Sequence, residues 1–261
     1  MGKLWFIGAG PGAADLLTVR ATRLLGEAGA VLYTGSLVAG AALQWAGPDC
    51  EIADSKGMDL SEVRAWLLER LGQHQTVVRL QTGDPTLYGV IPELARPLDA
   101  AGIEIGIVPG VSSAMAAAAA AGESLTLPEV TQSVIFTRLA SRTPMPASES
   151  FADLARHGCT LCIFLSIDRI EEVVAELRRA GWAEDAPVVV AHKVSWPDEE
   201  RILRGTLADI AAECRAAGID RQALILVSPA LGARDRAGDD RVSKLYDAAF
   251  PRRFRQNRLS R

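Results

Sequence analysis

Three short turns carry the residue types in this chain that most plainly suggest ligand chemistry. They are residues 8–12 (GAGPG), 82–85 (TGDP) and 109–113 (PGVSS). Glycine lets a backbone approach a ligand closely. Asp84, in the second turn, can accept hydrogen bonds from a cationic amino group or from ribose hydroxyls. An Asx-turn or a helix cap before Pro85 is the common structural use of such an aspartate, and this alternative stays open.

The first turn also fits the loose G-x-G-x-x-G/A fingerprint of dinucleotide-binding sites, through residues 8–13. Such sites place an acidic residue about 20 positions further on, at the end of the second strand. Thr34 and Gly35 stand there without a carboxylate, and Pro11 removes a backbone donor that a pyrophosphate would need. A nicotinamide-dependent oxidoreductase is therefore the less favoured alternative.

The turns follow strands of a predicted α/β fold. Short apolar runs at residues 4–7, 30–33, 77–80 and 105–108 alternate with helical patterns, among them residues 15–28 and 111–121. This alternation is typical of βαβ units and a parallel sheet. Open α/β sheets bind ligands at the carboxyl ends of their strands, which is where these turns lie.

A second α/β region follows the third turn. Its predicted strands are residues 134–136, 162–165, 188–190 and 224–227. We expect two domains, residues 1–118 and 119–240, followed by a basic tail at residues 241–261. Pro144 and Pro146 predict a mobile loop between Arg138 and Phe151, and long loops of this kind often carry function.

Composition narrows the classes of partner. The chain has 261 residues, 49% of them hydrophobic, and a formal net charge of -4, while its last 21 residues hold six arginines and a lysine against one aspartate. The rest of the chain is acidic and would repel a nucleic-acid backbone, so only the basic tail could bind RNA. An RNA-associated module that uses this tail is the non-enzymatic alternative. Neither a secretory core nor an apolar run of membrane-spanning length is present, which predicts a soluble, cytoplasmic protein without membrane partners.

Cysteine and histidine spacing predicts neither a metal site nor a disulfide framework. Cys159 and Cys162 have the spacing of half a zinc motif, but they run directly into an apolar strand, which favours burial. The three histidines show no paired spacing.

In their order and spacing, the three turns resemble those of the tetrapyrrole (class III) methyltransferases, and the resemblance covers nearly the whole chain. Four further stretches resemble the branch that methylates carbon 11 of precorrin-4 in cobalamin synthesis: residues 131–138, 142–146, 196–199 and 243–255. The resemblance implies a parallel sheet in the N-terminal domain, a mixed sheet in the C-terminal domain, a cofactor cleft between them and a homodimer. It also implies S-adenosylmethionine as methyl donor and S-adenosylhomocysteine as product. A cobalt-containing substrate, or another methyltransferase of the family, is the alternative.

The same resemblance implies a set of cofactor contacts. They are Pro11, Thr82, Gly83, Asp84, Leu87, Ser112 and Ser113 in the first domain, and Leu165, Ala191, Lys193, Pro229 and Ala230, expected to face the adenine, in the second. Two departures from the family pattern matter. Ala13 and Ala14 replace an Asp-Pro pair after Gly12, and Thr34–Gly35 replaces an acidic residue thought to move protons, which leaves the proton acceptor unassigned.

Candidate residues for the chemistry itself follow from the expected substrate, a tetrapyrrole with several carboxylate arms. Lys56, Asp84 and Tyr88 are the catalytic candidates. Arg79, Arg138 and Arg142 are the candidates for binding the carboxylates, each with a solvated surface charge as its alternative. The proline-containing loop beside Arg138 is expected to order over bound substrate as a lid.

Overall fold

The computed structural model describes residues 2–141, 143–235 and 243. The chain divides into two compact units. The first contains the residues up to Ala120 together with Ala191–Ile202, and the second contains Ala121–Val190 and the residues from Leu203 on. A single boundary near residue 118 does not capture this division, because Ala191–Ile202 packs with the N-terminal half.

The first unit is built from five strands and four helices. The strands are β1 (Lys3–Gly8), β2 (Ala30–Tyr33), β3 (Glu51–Asp54), β4 (Thr76–Gln81) and β5 (Ile105–Val108). The helices are α1 (Val19–Gly26), α2 (Leu60–Gln73), α3 (Ile91–Ala100) and α4 (Ser113–Ala120).

These strands form a parallel sheet in the order β3-β2-β4-β1-β5, which confirms the predicted sheet type. Both faces of β1 are buried: Leu4 and Phe6 join one apolar cluster and Ile7 joins another. Burial on both faces explains why these strands read as continuous apolar runs. The register sets Gly8 beside Gln81 and Ile7 beside Val108, so all three glycine turns start at the same level of one sheet edge.

Two details of this unit differ from the sequence-based prediction. Helix α1 begins at Val19 rather than at residue 15, because the Thr18 side chain caps it by accepting a hydrogen bond from Ala21 N (3.1 Å). Strand β3 was not predicted, since it lies at the sheet edge and three of its four residues are exposed.

The second unit contains the other sheet. Its strands are β6 (Val134–Arg138), β7 (Thr160–Phe164), β8 (Pro187–His192), β9 (Arg201–Thr206) and β10 (Ala223–Val227), and its helices are α5 (Phe151–Ala155), α6 (Ile170–Arg179) and α7 (Ile210–Ala216). The order is β6-β7-β10-β8-β9. Strand β7 pairs parallel with β6 and antiparallel with β10, so the sheet is mixed, as predicted.

Cys162, on β7, behaves as a core residue. Cys162 is fully buried, and burial raises the pKa of its thiol to about 12, so it stays protonated and unreactive at neutral pH. This confirms the strand interpretation for Cys162. Among the described residues no cluster of three or more His, Cys, Asp or Glu side chains has an arrangement suited to a metal ion. Nor does that part of the chain include a helix with both the length and the apolar character of a membrane span.

Candidate active site

The three glycine turns meet at the carboxyl edge of the parallel sheet. Gly10 and Gly83 exchange two backbone hydrogen bonds, from Gly10 N to Gly83 O (3.2 Å) and from Gly83 N to Gly10 O (2.8 Å). A Cβ atom on Gly110 would lie 2.1 Å from Gly83 O, and one on Gly8 would lie 2.6 Å from the Gly110 Cα. Only glycine fits at Gly8 and Gly110, so the turns form one continuous backbone surface.

Asp84 ties the second turn to the third. Its Oδ1 accepts hydrogen bonds from Thr86 N (2.8 Å) and from the Thr86 hydroxyl, while its Oδ2 accepts one from Gly110 N (3.0 Å). Burial opposes ionisation of this carboxyl, but the hydrogen bonds from Thr86 and Gly110 outweigh it and lower the pKa below 3.8. The Asx-turn alternative is thus present, and the low pKa makes Asp84 a poor proton acceptor.

Most of the first-domain residues predicted to contact a cofactor surround this surface. The position of a Cβ on Gly83 lies 3.7 Å from Ser112 Cα and 3.8 Å from Ser113 N, in ordinary contact. The Ser112 hydroxyl accepts a hydrogen bond from Ala114 N (3.3 Å) at the start of α4. Thr82 is exposed and Leu87 half-buried in the segment that leaves β4. The fold therefore brings these residues together as one group.

A tryptophan segment, Ala191–Ile202, covers the first turn. The Trp196 indole Nε1 donates to Pro11 O (3.0 Å), and Ala13 N donates to the Ser195 hydroxyl (3.0 Å). A Cβ on Gly12 would lie 2.3 Å from the indole ring, so Gly12 is needed for this contact. Pro11 is buried and its carbonyl already accepts a bond, which leaves only its ring for the predicted cofactor contact.

The tryptophan segment also fixes Lys193. Its ammonium group forms an ion pair with Glu199 and lies 5.1 Å from the centroid of the Trp196 ring. Lys193, Ser195 and Asp198 all have positive φ angles, between 45° and 62°. Non-glycine residues rarely adopt this conformation, and its clustering is typical of functional segments. Ala191, another residue predicted to contact the cofactor, is buried.

We predict that Trp196→Phe weakens binding of the methyl donor that the sequence resemblance implies, S-adenosylmethionine, by up to about tenfold. An aromatic ring is retained and the hydrogen bond from the indole to Pro11 O is lost, a change of about 0.5–1.5 kcal/mol. Isothermal titration calorimetry measures the affinity. Trp182→Phe is the matched control, because the Trp182 indole donates to Ala155 O (2.9 Å) within the second unit. Equal losses in the two variants would contradict a role for the tryptophan segment in shaping the turn.

Arg79 is a buried cation rather than a surface charge. It is 7% exposed on β4, where Nη1 donates to the Ser55 hydroxyl (2.8 Å) and Nη2 to the Thr34 hydroxyl (3.0 Å). Burial lowers its pKa to about 10, partly offset by Asp54, so it stays charged at neutral pH. The sequence-based alternative of a solvated surface charge is wrong here. Arg79 joins the loops that follow β2 and β3.

The loop after β3 supplies a carboxylate that the sequence did not point to. Asp54 Oδ1 accepts hydrogen bonds from Gly35 N (2.8 Å) and Lys56 N (2.9 Å), and the bond from Gly35, with further help from Lys56 and Arg79, lowers its pKa despite some burial. The carboxylate of Asp54 thus lies beside Gly35, although positions 34 and 35 themselves carry no acidic residue. Without an apolar run to reveal β3, only its connection between β2 and α2 could have pointed to Asp54 and Ser55.

The two other catalytic candidates lie at the surface. Lys56 and Tyr88 are both exposed, and Tyr88 has a φ of 59°.

Arg138 holds its own loop instead of presenting a free guanidinium. Nη1 donates to Thr143 O (3.1 Å) and Leu139 O (3.4 Å), and Nη2 donates to Pro144 O (2.9 Å). The expectation that Arg138 directly binds a substrate carboxylate is therefore not favoured, since both terminal nitrogens are engaged. Arg142 lies outside the described residues, as does most of the basic tail.

The second-domain residues expected to face the adenine do not form one group. Leu165 follows the carboxyl end of β7, has a φ of 50° and is 61% exposed. Pro229 and Ala230 follow β10, which runs antiparallel to β7 with Val227 beside Leu161. They therefore lie at the opposite end of the strand pair, where Pro229 lines a surface cavity of about 770 Å³ and Ala230 is buried. One adenine ring cannot contact both stretches.

Comparison with known proteins places this geometry in a family. The family model described as tetrapyrrole (corrin/porphyrin) methylases matches residues 3–211. A cobalt-precorrin-4 C(11)-methyltransferase of Priestia megaterium is 46% identical over 97% of this chain and 98% of its own length. A precorrin-4 C(11)-methyltransferase of Pseudomonas aeruginosa is 43% identical over 97% of this chain and 98% of its own.

Solved structures agree with these sequence matches. The X-ray structure of a cobalt precorrin-4 methyltransferase superposes with a TM-score of 0.84 at 47% identity, covering 88% of this chain and 95% of that one. A uroporphyrin-III C-methyltransferase from Thermus thermophilus, solved with S-adenosylhomocysteine, gives a TM-score of 0.73 at 29% identity over 88% of this chain and 99% of that one. The likeness covers nearly all of the described residues.

Proposed function

The chain belongs to the tetrapyrrole (corrin/porphyrin) methylase family, and we propose that it transfers a methyl group from S-adenosylmethionine to carbon 11 of precorrin-4, giving precorrin-5. The observation that carries this proposal is the nearly full-length identity, at 42–46%, to relatives named as C(11)-methyltransferases of precorrin-4 or of cobalt-precorrin-4. Membership in a methylase family leaves no support for the nicotinamide alternative. The missing ribose-binding carboxylate at Thr34–Gly35 agrees with that.

The methyl donor's site in this proposal is the surface of the three turns. Thr82, Gly83, Leu87, Ser112 and Ser113 hold the cofactor, and Asp84 keeps the second and third turns in register. The crowded glycines fit this purpose, because Gly8 and Gly110 let the three turns pack backbone against backbone, where any side chain would force the turns apart. Lys193, which belongs to the same unit, is kept as a further contact. Pro229 and Ala230 are set aside.

The protein's contribution to the chemistry is mainly alignment. S-adenosylmethionine supplies, when bound, an electrophilic methyl group for a carbon nucleophile. Holding two reactants in position lowers a barrier by roughly 7–11 kcal/mol. A side chain that accepts a proton adds at most about 10²–10⁴-fold. Lys56 and Tyr88 stay our catalytic candidates, because both are exposed near the carboxyl edge of the parallel sheet, whereas Asp84 is held ionised by its hydrogen bonds; none of the three is assigned as the proton acceptor.

We predict that Arg79→Met raises the KM for the tetrapyrrole by about tenfold without changing the affinity for S-adenosylmethionine. The variant removes a charge that is only 7% exposed and attracts carboxylates towards the loops after β2 and β3. Folding is expected to persist, because Met fills a similar volume and the Thr34 and Ser55 hydroxyls still bond each other (3.0 Å). Steady-state kinetics measures the KM. Arg178→Met, which breaks an exposed pair with Glu184, is the control. An unchanged KM would assign Arg79 a purely structural role.

Cobalt-precorrin-4 is the second candidate substrate. Relatives at 46% and 43% identity and the solved structure at 47% identity carry that name. The reaction class and the methyl donor are the same, so only the occupant of the macrocycle differs.

A direct assay tests the proposed function. Purified protein is incubated anaerobically with methyl-labelled S-adenosylmethionine and, in separate arms, with precorrin-4 or cobalt-precorrin-4. We expect one labelled methyl group at carbon 11, and the faster arm identifies the substrate. Absence of a monomethylated product in both arms would end the proposal. A homodimer and a cytoplasmic location complete the proposal, and sedimentation velocity of the purified protein tests the dimer.

A further inference from the structure

Gln81 occupies a central place at the edge of the parallel sheet. It is the last residue of β4, it lies beside Gly8 in the sheet register, and its carbonyl accepts a hydrogen bond from Ala9 N (2.7 Å). Its own chain continues directly into the turn that contains Gly83. The backbone of Gln81 therefore touches two of the three glycine turns.

The side chain of Gln81 is buried and only half satisfied. It is 9% exposed, and its Nε2 donates to Gly89 O (3.3 Å), which steadies the backbone between Asp84 and α3. A Cβ on Gly89 would lie 3.2 Å from this nitrogen, so the contact is tight. Its Oε1, by contrast, is buried, and no group of the described residues donates a hydrogen bond to it.

Arg79 shows the complementary feature on the same strand. Residues two apart on a strand point to the same face of the sheet, and the Arg79 Nε is also buried without a partner among the described residues. One face of β4 thus presents an unmatched acceptor and an unmatched donor. Buried polar atoms are nearly always hydrogen-bonded in folded proteins, so unmatched ones call for a functional explanation.

We infer that Gln81 is a positioning residue whose Oε1 accepts a hydrogen bond from an N–H or O–H group of the ligand held at the three turns. The inference rests on the proposed function for the identity of that ligand. Two sources offer this chemistry: the ammonium or ribose hydroxyls of S-adenosylmethionine, and the pyrrole N–H groups of the tetrapyrrole. The Nε2 bond to Gly89 fixes the amide orientation, so Oε1 is held ready before the ligand arrives.

The test substitutes Gln81→Met, which keeps the length of the side chain and removes both polar atoms. We expect the thermal stability of the ligand-free protein to change little, because the loss of a buried unmatched acceptor offsets the loss of the hydrogen bond to Gly89 O. At the same time we expect a loss of about tenfold in ligand binding. A structural role alone would lower the melting temperature without this loss. Calorimetry with S-adenosylhomocysteine needs no turnover, so its result does not depend on the identity of the methyl acceptor.

The two arms of the experiment separate the sources of the donor. Weaker binding of S-adenosylhomocysteine assigns the donor to the cofactor, whereas unchanged cofactor affinity with a raised tetrapyrrole KM assigns it to the methyl acceptor. Gln73→Met, at an exposed position on α2, is the matched control. If Gln81→Met does not fold, Gln81→Leu, which also removes Oε1 without adding a charge beside Arg79, takes its place. Unchanged affinity and KM in the folded variant would overturn the inference.

Discussion

Gly110→Ala is expected to abolish measurable binding of S-adenosylmethionine and with it methyl transfer. The added Cβ would lie 2.1 Å from Gly83 O and 2.8 Å from the Gly8 Cα, and both are backbone atoms. Neither can move aside as a flexible side chain would, so the second and third turns must separate. Cofactor binding measured by calorimetry, alongside circular dichroism to establish folding, checks this expectation.

Gly72→Ala is the matched control for this substitution. Gly72 lies near the end of α2, and a Cβ there meets nothing within 4 Å. Alanine at that helical position is expected to leave binding unchanged and to stabilise the protein by up to about 1 kcal/mol. A folded Gly110→Ala variant with normal affinity would show that the contact between the turns is not needed for the cofactor.

Asp84→Ala is expected to weaken the binding of S-adenosylmethionine by about 10–100-fold. The substitution removes the charge-assisted bond that holds Gly110 N and the bonds that shape the turn through Thr86. Hydrogen bonds to a charged group contribute about 1.5–3 kcal/mol each. Because only these local bonds are lost, the melting temperature is expected to fall by only a few degrees. Calorimetry and thermal unfolding measure the two effects separately.

Asp209→Ala is the control for the loss of a carboxylate that binds a backbone N–H group. Asp209 accepts a hydrogen bond from Thr206 N (2.6 Å) in the second unit, so its removal is expected to lower stability but leave cofactor affinity intact. If Asp84→Ala greatly lowers the melting temperature while the folded fraction binds the cofactor with normal affinity, Asp84 has only a capping role in the turn.

The pH dependence of stability gives a further check on Asp84. Hydrogen bonds from Thr86 and Gly110 lower its pKa in the folded protein despite burial, so its contribution to stability is fully present above the unfolded pKa and is lost as the pH falls through the folded pKa. The difference in unfolding free energy between the wild type and Asp84→Asn is therefore expected to stay constant at neutral pH and to shrink below about pH 4. A difference that grows on acidification would assign Asp84 a raised pKa.

Sequence patterns succeeded where burial leaves a local signature. Strands β1, β2 and β4 lie inside the sheet and stand out as largely hydrophobic runs, and edge strand β5 is also apolar in sequence although Ile107 is exposed. Edge strand β3 faces water, so its residues carry no such signal, and the carboxylate of Asp54 beside Gly35 stayed hidden. The predicted start of the first helix at residue 15 was also wrong. The Thr18 side chain caps α1, so the helix begins at Val19.

The sequence by itself determined the α/β fold and the glycine turns. Turns and strands depend mainly on residues that are neighbours in the sequence, so the sequence alone is enough to predict them. The family, too, could be recognised from the order of the turns. Which polar groups remain free for chemistry depends on the tertiary structure, because their hydrogen-bond partners lie far away in the sequence. Gly110 binds Asp84 from 26 residues away, Trp196 reaches Pro11 from 185 residues away, and Arg79 is buried by loops that the sequence could not bring together.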